Sequence, residues 1–186
     1  MLANVPRSLL LILLITVLVV SALAILFSIF LIIRAIVKAK KTGVFTIPKY
    51  IFISVACVLI AIIAFVCNMG WIRVIMLFMA IPFIHTLIFF FINVFAASQI
   101  EKSRLLKIFF ILSCITYLCG YVFLPDGGDV GPMYVFFGLL HNDITIGICF
   151  TLAGLGFSGN VIFLVLQLVE AIRSKKKLNY KERNQK

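Results

Sequence analysis

Charged residues are scarce in this chain, and acidic residues are the scarcest. Of its 186 residues 12% are charged, where soluble domains carry about 25%, and only 6 are Asp or Glu. Hydrophobic residues make up 64% of the sequence. This composition excludes an ordinary soluble domain and predicts an integral membrane protein.

The residue sets that mark common enzymes and metal sites are also missing. The 5 cysteines include no Cys-x-x-Cys pair and have no His nearby in the sequence. A Gly-x-Gly-x-x-Gly pattern at Gly154–Gly159 lies inside an apolar run, without the preceding strand that a dinucleotide site needs. We therefore predict no catalytic residues, no metal site and no cofactor, and a membrane-embedded enzyme is the least favoured function.

What the chain does contain is five apolar runs, at residues 8–33, 50–69, 73–97, 106–124 and 144–170. A helix rises about 1.5 Å per residue, so each run can cross a hydrocarbon core of roughly 30 Å with its ends in the interface. We predict an all-α fold, a single transmembrane domain of five helices over residues 1–186. Ala22-Leu23-Ala24 resembles a signal-peptide cleavage site, but cleavage would leave an apolar remnant too short to span, so we expect the first run to stay.

The basic residues predict the orientation, because short cytoplasmic loops retain Lys and Arg. Fifteen of the 17 follow the first, third or fifth run. The N-terminus is therefore expected outside and the C-terminus inside, and residues 171–186 form a basic cytoplasmic tail that we expect to contact anionic inner-leaflet lipids. This topology explains the net charge of +11 without a nucleic-acid partner. The composition, which lacks a glycosylation sequon, is compatible with a multi-pass protein of a bacterial plasma membrane.

Small or polar residues recur at helical spacing within the runs. Close backbone approach holds helices together in lipid, so small residues favour helix packing. The predicted packing positions are Ser54, Cys57, Ala61 and Ala64 in the second run and Gly147, Thr151, Gly154 and Ser158 in the fifth.

The segment between the fourth and fifth runs is rich in turn-forming residues. We expect Met133–Leu140 to form a short half-helix at the outer interface, since it is apolar but too short to cross. Around it, Asp126, Asp129, His141 and Asp143 form a predicted outward polar cluster that would bind a cation or a basic partner segment. Asp is also an ordinary turn residue, so a purely structural role is the alternative.

His85 lies near the centre of the third run, with Asn93 about two turns further along. An ionisable group inside the membrane costs several kcal/mol if it is unpaired, so both residues are ligand-binding candidates. A neutral His that bonds one hydroxyl or carbonyl would instead be structural.

Two function classes follow from these patterns. The first is a small non-enzymatic subunit or interaction partner in a membrane assembly, in contact with another membrane protein or with a second copy of the chain. The alternative is a small-solute or ion transporter, or a channel subunit, with a path near His85 and the glycine-rich fifth run.

Overall fold

The structure, a computed structural model, describes Val37 and residues 46–127, 132–136 and 138–184, with side chains over 49–127, 132–136 and 138–177. The described helices all belong to one compact unit, Phe45–Lys186. The predicted first span, residues 8–33, and Asp129 lie outside the described residues.

Five α-helices make up this unit. They are α1 (Thr46–Cys67), α2 (Trp71–Phe78), α3 (Ile81–Ala97), α4 (Arg104–Val122) and α5 (Asp143–Asn184), with a short 3₁₀ turn at Ile100–Lys102. In this part of the chain there is no strand, which confirms the all-helical prediction. Three helices, α1, α4 and α5, are long and apolar enough to cross a membrane, and α2 with α3 would make a fourth if this bent pair is one span.

The predicted third span, 73–97, is not one straight helix. Its two parts, α2 and α3, meet at an angle of 70°. Ala80 at the break has φ 55°, in the left-handed region that a residue with a side chain seldom adopts. Pro82 lies in the first turn of α3, where its missing N–H costs nothing, and its ring would clash with a helix continuing from α2.

The contact between α4 and α5 depends on glycine. A side chain at Gly156 would overlap the backbone of Gly120, and one at Gly159 would press on Thr116. The two helix backbones therefore approach closely, which is how helices gain packing energy in a lipid environment.

The predicted packing positions divide between the two helices. In α1, Ser54, Cys57 and Ala61 are buried and Ala64 is half-buried. In α5 the four predicted positions, Gly147, Thr151, Gly154 and Ser158, are exposed, and the buried face consists of Cys149, Ala153, Gly156, Asn160, Leu164 and Gln167. The two sets are offset by two residues, about 200° around a helix, so the predicted face points away from the described bundle.

The segment after α4 is a bridged loop and not a half-helix. Asp126 and Tyr134 exchange two backbone hydrogen bonds, of 3.1 and 2.9 Å, and Val135 and Leu140 exchange two more, of 2.9 and 3.2 Å. Phe136 and Gly138 both have positive φ, which a right-handed helix does not allow. We call the end of the bundle that carries these bridged residues, Asp126, Tyr134, Val135 and Leu140, the loop end.

Candidate functional site

His85 is the natural starting point, because it is the ionisable residue that the sequence places deepest in an apolar run. Its Nδ1 lies 3.1 Å from the hydroxyl of Tyr121 on α4, and its Nε2 lies 2.9 Å from Oδ1 of Asn160 on α5. The Asn160 amide nitrogen donates to the Ser113 carbonyl at 2.6 Å, so Oδ1 is the acceptor atom that faces the ring. Nε2 of His85 must then carry the proton, and Nδ1 accepts from Tyr121. A neutral imidazole can form one bond of each kind, and here both are present.

Aromatic rings enclose the imidazole on several sides. The rings of Tyr117, Tyr121 and Phe157 lie 5.3, 5.7 and 5.7 Å from it, centroid to centroid. Thr86, the next residue on α3, is 2.8 Å from the Tyr117 hydroxyl. The two tyrosines therefore present apolar rings to the core while their hydroxyls are paired.

A second set of polar contacts lies nearer the other end of the bundle. Gln167 donates to Oδ1 of Asn93 at 2.9 Å, and Asn93 donates to the Phe89 carbonyl at 2.9 Å. The Ser113 hydroxyl lies 3.0 Å from Oε1 of Gln167. Asn93 and Gln167 are both almost completely buried, so Asn93 meets another amide and not an open cavity.

These two sets are continuous. We call the sequence of contacts Asn93, Gln167, Ser113, Asn160, His85 and Tyr121 the polar chain. The three helices α3, α4 and α5 contribute two members each. The contacts therefore hold these helices in one register. Each amide or hydroxyl of the polar chain is paired, as the cost of an unpaired polar group in an apolar interior requires.

The loop end carries a buried ion pair. Arg73 and Asp126 are both 0% exposed, with Nη1 and Oδ2 3.7 Å apart. The Asp126 carboxylate also accepts from the backbone N–H groups of Ile72 and Arg73, at 3.0 and 2.8 Å. It therefore caps the first turn of α2 from a distant part of the chain, where the N–H groups and helix dipole favour a negative charge.

Arg73 is held by backbone oxygens as well. Its guanidinium donates to the carbonyls of Asn68 at 2.6 Å and Leu124 at 2.8 Å. A side chain at Gly70 would overlap the Asp126 carboxylate, so glycine is needed beside the pair. The pair joins the start of α2 to the end of α4 and the bridged loop.

This geometry differs from the predicted outward cluster. Asp126 is buried and bonded to α2, while His141 and Asp143 are exposed near the start of α5, where Asn142 Oδ1 accepts from the N–H of Ile144. Among the residues that the structure describes, no group of three or more His, Cys, Asp or Glu is placed to hold a metal ion. Asp126 is therefore engaged elsewhere and does not join the others.

One groove opens beside the polar chain. It has a volume of about 430 Å³ and is lined by Met76, Ile81, Ile84, His85, Ile88, Phe157 and Val161. His85 is the one polar residue in this lining, and its two ring nitrogens are engaged by Tyr121 and Asn160. The groove surface is therefore apolar and suits hydrocarbon more than a polar solute.

Sequence reasoning singled out His85 and Asn93 but missed their partners. Asn160 and Gln167 are amides inside the fifth apolar run, seven residues apart and so on one face of the helix. That spacing could have predicted which face of α5 is buried. The Arg73–Asp126 pair had no comparable signal, because 53 residues separate the two.

Comparison with protein-family models, curated proteins and solved structures found no match to this chain.

Proposed function

We propose that the protein is a non-enzymatic membrane subunit, which acts by presenting a helix face to another membrane protein or to a second copy of itself. The observation that carries this proposal is that the side chains of the polar chain bond to one another inside the described bundle. The outer helix faces are then the surfaces available for contact with another protein.

The polar chain argues against the alternative, a transport path. Polar groups that carry a solute must exchange their partners with it, so they line water-filled space. Both ring nitrogens of His85 are engaged, and Asn93 and Gln167 are buried against each other. The groove beside His85 is apolar. These contacts favour a structural role for the residues that would otherwise mark a path.

The exposed face of α5 supports contact with a partner. Within the described part of the chain, nothing lies within 4 Å of a side-chain carbon placed on Gly147 or Gly154. Glycine in a helix costs about 0.5–1 kcal/mol relative to alanine, and no contact in this part of the chain offsets that cost. A second helix packed close against this face would do so. The hydroxyls of Thr151 and Ser158 already bond to their own helix, so the fit would depend on shape.

The proposal includes the predicted membrane topology. Five spans with the N-terminus outside would place the end of the bundle bearing Lys102 and Arg173 in the cytoplasm, by the positive-inside rule.

Co-purification in mild detergent tests the proposal. Gly154→Leu adds bulk to the exposed face of α5. It should abolish stoichiometric binding of a partner or formation of a dimer, while the unfolding temperature of the chain itself stays unchanged. The control is Leu155→Phe, which also adds carbon atoms, at a neighbouring exposed position about 100° around the helix. Retention of the partner by Gly154→Leu would contradict the proposal, as would a cross-link from this face that stays within one chain.

A further inference from the structure

Three separate segments bring their basic residues together at the end of the bundle opposite the bridged loop. Ser103, just before α4, donates to Oε1 of Glu170 on α5 at 3.0 Å. Tyr50, near the start of α1, donates to Oε1 of Glu101 at 2.5 Å. These two bonds fix the starts of α1 and α4 beside the extension of α5. We call this surface the basic end, and its exposed cations are Lys49, Lys102, Arg104, Lys107, Arg173, Lys175, Lys176 and Lys177.

The cations of the basic end are not neutralised within the described side chains. The two acids present, Glu101 and Glu170, accept hydrogen bonds from hydroxyl groups. Among these side chains the ion pair that forms, Arg73–Asp126, lies at the loop end. Eight like charges beside two acids generate a strong positive potential, which attracts an anion.

The first turn of α4 adds to this potential. It contains Arg104 and Lys107 and no acidic residue. The N-terminus of a helix is the positive end of its dipole, so cations there are opposed and an anion is favoured. Acidic residues are normally preferred in the first turn of a helix, and a departure from this preference is typical of functional positions.

The depth of the basic end identifies the kind of anion. The cations follow directly on the membrane-spanning parts of α4 and α5, whose exposed side chains next to them, Ile108 and Val169, are apolar. The amine of Lys175 lies over the Phe95 ring on α3, 5.7 Å from its centroid, so a cation of the basic end directly adjoins an apolar side chain. Headgroups of lipids lie at this level, with their chains beside the apolar side chains.

We propose that the basic end binds the phosphate headgroup of an anionic phospholipid between the first turn of α4 and the extension of α5. The site uses Lys102, Arg104 and Lys107 together with Arg173 and Lys176, and does not need the last residues of the chain. It is separate from the proposed contact through the exposed face of α5, because Arg173 lies 15 residues beyond Ser158, about 22 Å further along the helix.

Native mass spectrometry tests this site. The full chain in detergent is mixed with phosphatidylglycerol or phosphatidylcholine, and the number of bound lipids is measured after the detergent is removed in the gas phase. We expect saturable binding of phosphatidylglycerol and weak binding of phosphatidylcholine. Replacing Lys102, Arg104 and Lys107 with Gln should weaken phosphatidylglycerol binding about 100-fold, since each of the three basic residues near an anionic surface contributes roughly a factor of five. Replacing Lys181, Arg183 and Lys186 with Gln removes the same charge and should change the affinity less than threefold.

Three outcomes would overturn the proposal. They are equal binding of the two lipids, equal losses in the two triple variants, and full competition by inorganic phosphate at millimolar concentration, which would indicate a site for soluble anions. If the first triple variant fails to fold, Arg173→Gln with Lys176→Gln provides the test from α5. Retention of wild-type affinity by that pair would equally overturn the site.

Discussion

Removal of the negative charge of Asp126 should destabilise the bundle strongly. Asp126→Asn keeps the shape of the side chain and an oxygen that can still accept from the first turn of α2. It leaves Arg73 buried without a counter-charge, although the carbonyls of Asn68 and Leu124 continue to bond its guanidinium. At a separation of 3.7 Å the attraction between the two charges is about 4 kcal/mol for an effective dielectric constant of about 20. Loss of one partner of a buried pair typically costs about 3–5 kcal/mol, which agrees.

Unfolding of the purified protein by titration with a denaturing detergent measures this cost. Asp143→Asn is the matched control, because Asp143 is exposed in the first turn of α5 and should contribute less than about 1 kcal/mol through the helix dipole. The double variant Arg73→Met with Asp126→Asn should be more stable than the sum of the single effects predicts, since no buried charge is left unpaired. A loss below about 1 kcal/mol for Asp126→Asn, or additive effects in the double variant, would refute the buried-pair reasoning.

Three further predictions concern the helix contacts, His85 and the topology. Gly156→Ala should cost about 1–3 kcal/mol in the same unfolding assay, because its methyl group would meet the α4 backbone, while Gly154→Ala should be neutral or slightly stabilising; equal effects would mean that the faces of α5 are misassigned. His85→Gln should lower stability by about 1–3 kcal/mol, because one of the two buried groups that it bonds loses its partner, and should leave partner binding intact; a loss of partner binding at unchanged stability would contradict a structural role for His85. A cysteine at Gly128 should react with an impermeant reagent from outside the cell, and a reporter after Lys186 should be cytoplasmic; the opposite pattern would reverse the predicted orientation.

Composition and periodicity were sufficient to predict an all-helical chain with helices able to cross a membrane. The break at Ala80 was less accessible, because Pro82 in an apolar run is compatible with a mild kink as well as with a 70° bend. The bridged loop was mistaken for a half-helix, since apolar content alone does not reveal the positive φ angles at Phe136 and Gly138.

The candidate site was only partly predictable, for reasons of distance along the chain. His85 and Asn93 could be identified because polar residues are rare in the third run. Their partners lie on α4 and α5, up to 75 residues away, and local periodicity does not pair residues across helices. On α5 two seven-residue patterns were present; the prediction used the one with small residues and overlooked the one with Asn160 and Gln167. The structure buries the amides, where they find partners. On the outer face they would lack partners in lipid, which costs more than an exposed glycine.

The ratio of partner to chain after mild-detergent purification tests the central claim most directly. The claim is that the protein acts through a helix face and that the polar chain is structural. Wild type, Gly154→Leu and His85→Gln are compared at equal expression. Gly154→Leu should lose the partner or the second copy, and His85→Gln should keep it. Loss with His85→Gln, together with full retention by Gly154→Leu, would contradict the account.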